Sequence, residues 1–142
     1  MITTGEHTQA NEARAMIYPA LSYRDAAAAI AWLTEAFGFA VLLAVPGSDG
    51  TIGHAELRLG DGVIMLGNAQ EARGWLSPLD LPGASQTIYV YVADLDAHHA
   101  RAVAAGATIT QPLHDTDYGS REYAATDLEG HRWSFGTYRP SL

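Results

Sequence analysis

The residues of this chain best suited to chemistry are a few histidines and carboxylates. His54 and Glu56 are two positions apart in a segment with strand-like alternation, so their side chains share one face. With His131, on the predicted last strand, they could bind a divalent metal ion, since imidazole and carboxylate are common ligands. Alternatively, His54, Glu56 and Arg58 form the solvated face of a half-buried strand, which is the interpretation we favour.

Other reactive groups are scarce. The chain has no cysteine, which excludes disulfides, thiolate catalysis and cysteine-based metal sites. It also has no lysine, which excludes Schiff-base chemistry and a P-loop lysine. Ser48 lies in a turn with no helix after it, so it is not a nucleophile elbow. Glu56, Asp117 and Glu122 are candidate general acids or bases, and nothing in the sequence selects one.

Length and charge restrict the class of partner. The 142 residues suit one compact domain, or two half-size modules that share a core. The net charge of -8 argues against nucleic acid, because phosphate binding needs a basic surface. No stretch comes near the roughly 18 apolar residues of a membrane span, and residues 1–14 lack the features of a secretion signal. We therefore expect a cytoplasmic protein with no membrane contact.

Two segments repeat the same order of elements. Asp25 begins a helix that Gly38 ends, and Asp94 or Asp96 begins a second helix that ends at about residue 105. Alternation and turn signals predict strands at residues 16–23, 39–45, 51–59, 63–66, 87–92, 107–113, 121–126 and 131–138. This order predicts an α+β fold of two βαβββ modules, residues 16–67 and 87–142, whose sheets supply the site. Residues 68–86 would be a linker loop, and residues 1–15 a polar tail or arm.

The remaining histidines are weaker candidates: His98 and His99 are interpreted as surface helix residues, and His114 is a loop residue that could contact a ligand. His98 and His99 are neighbours on the second predicted helix and point in different directions, so they are poor candidates for a shared ligand. His114 lies in a predicted loop beside Asp115, and His7 lies in the tail. None of these residues extends the candidate metal site.

Three motifs resemble those of the vicinal oxygen chelate superfamily, also called the glyoxalase/bleomycin resistance/dioxygenase family. They are Tyr23-Arg24-Asp25 with Phe37-Gly38-Phe39, residues 90–97 with residues 104–107, and residues 126–136, where Leu128 replaces the usual proline of a hairpin. The resemblance covers roughly residues 16–138. It implies paired βαβββ modules whose mixed sheets curl around a cavity, commonly completed by a second subunit. We therefore expect a homodimer.

The resemblance also bears on metal binding. Enzymes of this family hold a divalent metal with His or Glu at four strand positions. Three of these positions correspond to Tyr18, Thr87 and Ser134, and the fourth strand, residues 63–67, has neither His nor carboxylate. None of these residue types is a good ligand for such a metal. We interpret the chain as a metal-free member with no cofactor.

The same alignment predicts which side chains face the cavity. Because Thr87 aligns with a ligand position, Tyr89 and Tyr91 on the same face of that strand are expected to line the cavity. Trp75 or Tyr118 would form a lid over a flat organic molecule, unless the tyrosines close a subunit interface instead. The predicted ligand-binding residues are Tyr18, His54, Glu56, Trp75, Thr87, Tyr89, Tyr91, Tyr118, Arg132 and Ser134. Trp133 and Phe135 would lie on the helix side, in the core.

Two functions of different classes follow. The first is a binding protein that sequesters an aromatic or cationic compound, such as an antibiotic, without chemistry. The second is a metal-dependent enzyme, either a glyoxalase-like lyase or isomerase or a ring-cleaving dioxygenase, that works through His54, Glu56 or His131. The unsuitable ligand positions, the cavity-facing tyrosines and the net acidity favour the binding protein.

Overall fold

Residues 14–142, the part of the chain described by a computed structural model, form two successive βαβββ units. The first contains β1 (Ala20–Tyr23), α1 (Ala26–Phe37), β2 (Ala40–Pro46), β3 (Ile52–Leu59) and β4 (Gly62–Asn68); the second contains β5 (Thr87–Tyr91), α2 (Leu95–Ala104), β6 (Thr108–Asp115), β7 (Arg121–Thr126) and β8 (Arg132–Gly136). The predicted α+β fold is confirmed. The predicted polar tail lies, apart from Arg14 and Ala15, outside the described residues.

Each unit contributes one four-stranded mixed sheet. The strand orders are β1-β4-β3-β2 and β5-β8-β7-β6, so equivalent strands occupy equivalent places. The β1–β4 and β5–β8 pairs are parallel, and the other pairs are antiparallel. β1 and β5 therefore each lie at one edge of a sheet, and β2 and β6 at the opposite edges.

Local signals set the helix ends. The Asp25 carboxylate accepts a hydrogen bond of 3.0 Å from the amide of Ala28, and Gly38 ends α1 in the left-handed conformation at φ 86°. Asp94, not Asp96, caps α2 by accepting from Ala97. At 12 and 10 residues, neither helix in this part of the chain is long and apolar enough to cross a membrane.

The two units share a single core between the helices and the sheets. Leu33 and Phe37 of α1 belong to the same buried cluster as Trp133 and Phe135 of β8, which are 1% and 0% exposed. The indole of Trp32 also donates to the carbonyl of Ala105 at 2.9 Å. The helices thus join the two units, and the opposite faces of both sheets point outward.

Some boundaries differ from the prediction. β1 begins at Ala20 and not at residue 16, because Pro19 has no N–H to donate, although its carbonyl accepts from Met65 at 2.8 Å. β8 covers Arg132–Gly136 and is shorter than predicted at both ends. Residues 68–86 contain two short 3-10 helices, Glu71–Arg73 and Pro78–Asp80.

The prediction that His98 lies on the surface is wrong. Its Nε2 lies 3.0 Å from the carbonyl oxygen of Phe37, and its Nδ1 lies 2.7 Å from the hydroxyl of Tyr123. His99 is also partly covered, with its ring edge-on to that of Tyr123 at 4.9 Å. Helical periodicity identified neither contact, because both depend on how α2 packs against other elements.

A buried carboxylate pair links the last hairpin to the first unit. Asp127 accepts from the hydroxyl of Tyr23 at 2.6 Å, and Glu129 accepts from the hydroxyl of Ser77 at 2.6 Å. Glu129 also accepts from the backbone amides of Arg24 and Asp25, at 2.6 and 2.9 Å. Both carboxylates are at most 6% exposed, so they position the β7–β8 hairpin against the start of α1.

Candidate functional site

The outer face of the second sheet carries five of the ten predicted ligand-binding residues. Thr87, Tyr89 and Tyr91 alternate with Ile88 and Val90, which pack against the core, so the tyrosines lie on the exposed side. Strand register places Arg132 beside Thr87 and Ser134 beside Tyr89. These five polar and aromatic residues therefore share one surface.

A second group of predicted residues lies on the outer face of the first sheet. His54 and Glu56 form a contact of 2.8 Å between Nε2 and Oε2. His54 also lines a cavity of about 250 Å³ together with Ser22, Met65 and Trp75. The first sheet thus offers a small cavity with one imidazole, one adjacent carboxylate and an indole at its margin.

His131 does not join that pair. Its Nε2 lies 2.8 Å from the carbonyl oxygen of Ser22, and its ring packs against Tyr23 with centroids 4.6 Å apart. Across residues 14–142, no group of three or more histidines and carboxylates is arranged to hold a metal ion. The conceivable site of His54, Glu56 and His131 is therefore not assembled within one chain.

Another cavity follows the seam between the two sheets. It measures about 400 Å³ and lies between the segment before β1 and the edge strand β5. Tyr89, Tyr91, Ile17, Trp133 and Arg139 contribute to its lining. The guanidinium of Arg139 lies 4.2 Å from the centroid of the Tyr91 ring, a cation–π contact. Arg139 was not among the predicted residues.

Thr87 and Arg132 line a separate cavity of about 240 Å³ at the other end of β5. Tyr18 is half-buried before β1, where its hydroxyl donates to the carbonyl of Ala15. Its phenol is therefore engaged with its own segment.

The two candidate lids lie on different sheets. Trp75 borders the cavity of the first sheet, and the guanidinium of Arg73 covers its indole at 4.4 Å. Tyr118 lies at the second sheet, where its hydroxyl donates to Glu122 at 2.7 Å. Within one chain, one candidate lid therefore lies beside each sheet: Trp75 beside the first and Tyr118 beside the second.

Sequence reasoning missed Tyr138 and did not single out Glu122. The Tyr138 ring packs against Tyr89 and Tyr118, with centroids 6.3 and 6.0 Å away. Glu122 lies opposite Gly136 in the β7–β8 pairing, on the exposed face. The alternation of side chains along β7 could have placed Glu122 on that face. Tyr138 could not be placed in this way, because it lies after the end of β8.

Two phenols of this face, those of Tyr89 and Tyr118, have a raised pKa. Burial, followed by the charge of Glu122, raises the pKa of Tyr89 above its ordinary value. The hydrogen bond to Glu122 raises the pKa of Tyr118. At neutral pH both hydroxyls are therefore donors, and Tyr89 donates to the carbonyl of Tyr138 at 2.6 Å.

The residues at the metal positions implied by the family do not fit a resident divalent ion. Tyr18, Thr87 and Ser134 offer a phenol and two aliphatic hydroxyls, and β4 offers no imidazole or carboxylate. Zinc, iron, nickel and manganese sites are built from imidazole, thiolate or carboxylate.

Comparisons with known proteins agree with this architecture. The family model described as Glyoxalase/Bleomycin resistance protein/Dioxygenase superfamily matches residues 15–135. The uncharacterized protein Rv0887c of Mycobacterium tuberculosis is 38% identical over 132 residues, which cover 91% of this chain and 78% of that protein.

Two solved structures extend the comparison. TioX from Micromonospora sp. ML1 is 37% identical and superimposes with a TM-score of 0.70, covering 90% of this chain and 99% of TioX. The fosfomycin resistance protein FosX from Mesorhizobium loti shares 15% identity and the fold, with a TM-score of 0.65 over 88% of this chain and 92% of FosX. The chain belongs to the glyoxalase/bleomycin resistance protein/dioxygenase superfamily, the vicinal oxygen chelate superfamily.

Proposed function

We propose that this protein binds and sequesters a small aromatic or cationic compound, such as an antibiotic, without a metal ion and without chemical conversion. The observation that carries the proposal is the composition of the outer sheet faces. Exposed tyrosines occupy the second sheet, while Tyr18, Thr87 and Ser134 stand where metal ligands are expected in this family. Aromatic side chains with fixed hydroxyls suit binding by stacking and hydrogen bonding.

A homodimer would close the ligand cavity. In β2, the side chains of Val41, Leu42, Leu43 and Val45 are between 44% and 50% exposed. An apolar edge strand with this much exposed surface is unusual for a monomer and is typical of an interaction surface. We infer that a second copy covers β2 and brings the outer sheet faces of the two chains together around the ligand.

The fold is compatible with such a role. FosX is named as a fosfomycin resistance protein, so in another protein this fold serves antibiotic resistance. Because one fold hosts many chemistries, the fold alone does not identify the ligand or the activity. The proposal for this chain rests on its own side chains.

The first test is metal analysis of protein purified without a histidine tag, before and after incubation with zinc, nickel, manganese and iron(II). We expect less than a tenth of an equivalent of metal under every condition. Tryptophan fluorescence would then be titrated with planar and cationic antibiotics, using a Trp75→Phe variant to identify the reporter. Near-stoichiometric metal that disappears in His54→Ala or Glu56→Ala would overturn the proposal.

The 2.8 Å contact between His54 and Glu56 favours a second candidate function. A carboxylate can orient an imidazole as a general base or as a metal ligand. This arrangement would suit a metal-dependent glyoxalase-like lyase or isomerase, or a ring-cleaving dioxygenase, if a partner subunit completed the ligand set. Turnover of a thiol-adduct or catechol substrate, lost in His54→Ala, would support this alternative.

A further inference from the structure

Three tyrosines from three separate segments cluster on the outer face of the second sheet, and one carboxylate lies beside two of them. Tyr89 comes from β5, Tyr118 from the β6–β7 loop, Tyr138 from the segment after β8, and Glu122 from β7. We call this group the tyrosine cage. The rings of Tyr118 and Tyr138 are nearly perpendicular, at 88°, and those of Tyr89 and Tyr138 are inclined at 63°. The rings therefore meet edge to face, and part of each side chain stays open to solvent.

The cage is ordered before any ligand arrives. The Tyr118 hydroxyl donates to Glu122 at 2.7 Å, and the Tyr89 hydroxyl donates to the carbonyl of Tyr138 at 2.6 Å. These bonds fix both ring orientations, which lowers the entropy cost of binding. The residues Tyr89, Tyr118 and Tyr138 nevertheless remain 36%, 61% and 48% exposed. Clustered exposed aromatic surface of this kind marks a binding site.

The absence of a side chain at position 136 makes room for Glu122 and Tyr89. A Cβ atom at position 136 would lie 2.6 Å from Cγ of Glu122 and 2.8 Å from the hydroxyl of Tyr89. Both contacts are too short for a real Cβ atom, so Gly136 is what allows Glu122 and Tyr89 to lie close together. The Glu122 side chain and the Tyr89 hydroxyl thus both lie over Gly136.

The carboxylate has no basic partner among the described residues. The ion pairs between residues 14 and 142 use Asp80, Asp96, Asp115 and Glu56, but not Glu122. Arg139, which follows Tyr138 directly, stacks on the ring of Tyr91 instead. Glu122 therefore brings a negative charge into the cage that an incoming cation can neutralise.

We propose that the tyrosine cage binds an alkylated ammonium group of the ligand, an inference that rests on the proposed function and deepens it. Ring faces attract a cation through their quadrupoles, and quaternary ammonium groups are commonly recognised in aromatic cages. An alkylated ammonium group has few or no N–H bonds to satisfy, so rings can replace its water. A divalent metal ion is a poor fit, because the cage offers one carboxylate and no imidazole.

The test uses choline and its uncharged isostere 3,3-dimethyl-1-butanol as probes of the full-length protein. Isothermal titration calorimetry or ligand-observed NMR would measure both affinities. We expect choline to bind at least ten-fold more tightly than the alcohol. Glu122→Gln should reduce choline affinity about ten-fold and leave the alcohol unchanged. Tyr118→Leu and Tyr138→Leu should each weaken choline binding. Glu35→Gln is the control: it removes an exposed carboxylate on α1 and should leave choline affinity unchanged.

Circular dichroism of every variant would confirm that the fold is retained. Tyr118 and Tyr138 are replaced in separate variants, so that one unstable variant does not decide the result. Equal affinity for choline and the alcohol, or no binding of choline, would overturn the cation site. If choline does not bind but 2-naphthol still quenches the tryptophan fluorescence, the proposal of a cation site is wrong and the proposed binding function stands. Failure of the proposed function appears separately, as stoichiometric metal in the metal analysis.

Discussion

The hydroxyl of Tyr23 donates a 2.6 Å hydrogen bond to Asp127, a residue 104 positions later in the chain. Tyr23 ends β1 of the first unit, and Asp127 begins the β7–β8 hairpin of the second. Burial, followed by the charge of Asp127, raises the pKa of the Tyr23 phenol well above its ordinary value, so the phenol remains a donor. This bond fixes the second unit against the first.

Removal of the Asp127 carboxylate should strongly destabilise the fold. The carboxylate also accepts from the indole of Trp133 and from the backbone amides of Glu129 and His131. Asp127→Ala leaves the buried Tyr23 and Trp133 donors without an acceptor, and we expect a loss of about 3 kcal/mol in the free energy of unfolding. Urea denaturation followed by circular dichroism measures this loss. A cost no larger than that of Asp96→Ala, at an exposed position, would contradict the prediction.

Stability should fall in mild acid because of His98. The carbonyl of Phe37 can only accept, so Nε2 of His98 carries the proton and Nδ1 accepts from the hydroxyl of Tyr123. Burial lowers the pKa of His98 below its ordinary value, which means that the unfolded chain binds a proton more readily. The stabilising contribution is complete above the unfolded pKa of about 6.5 and is lost as pH falls below it.

Unfolding free energies at several pH values between 7.5 and 5, for the protein and for His98→Gln, would measure this effect. The decrease towards acid should be smaller in the variant. NMR titration of the His98 ring should give a midpoint below that of an exposed histidine. Identical pH profiles for the two proteins would argue against the assignment.

Substitution at Gly136 should distort the tyrosine cage. The added Cβ in Gly136→Ala collides with Glu122 and with the hydroxyl of Tyr89, and it also lies 3.1 Å from the carbonyl of Arg121. We expect a stability loss of about 1–3 kcal/mol and at least a five-fold loss of choline affinity. Thermal unfolding and calorimetry measure the two effects. Gly83→Ala is the matched control, because nothing lies within 4 Å of a Cβ atom there.

A charge on β2 should disrupt the proposed homodimer. Leu43 is 44% exposed and lies opposite Glu56 in the β2–β3 pairing, so an arginine at this position can be accommodated in the monomer. Light scattering coupled to size-exclusion chromatography should show a dimer for the unaltered protein and a monomer for Leu43→Arg. Leu128→Arg, at a hairpin residue that is 40% exposed, should remain dimeric. A monomeric unaltered protein would exclude the dimer.

The sequence by itself determined the repeated βαβββ order and the faces of its strands. Asp25 and Gly38 act on amides and dihedral angles within their own helix, so their effect can be predicted from neighbours in the chain. The alternation of Tyr89 and Val90 similarly assigns opposite faces of β5, because side-chain direction in a strand depends only on parity. These signals are local.

Only the tertiary structure decided which residues meet. His98 reaches Phe37 across 61 positions, and Glu129 reaches the start of α1 across more than a hundred, distances over which no periodicity carries information. Tyr138 joins Tyr89 and Tyr118 because the chain bends at Thr137, beyond the regular strand. The predicted ligand-binding residues are also distributed over both sheets. Trp75 lies beside the first sheet and Tyr118 beside the second, because their loops pack against different sheets.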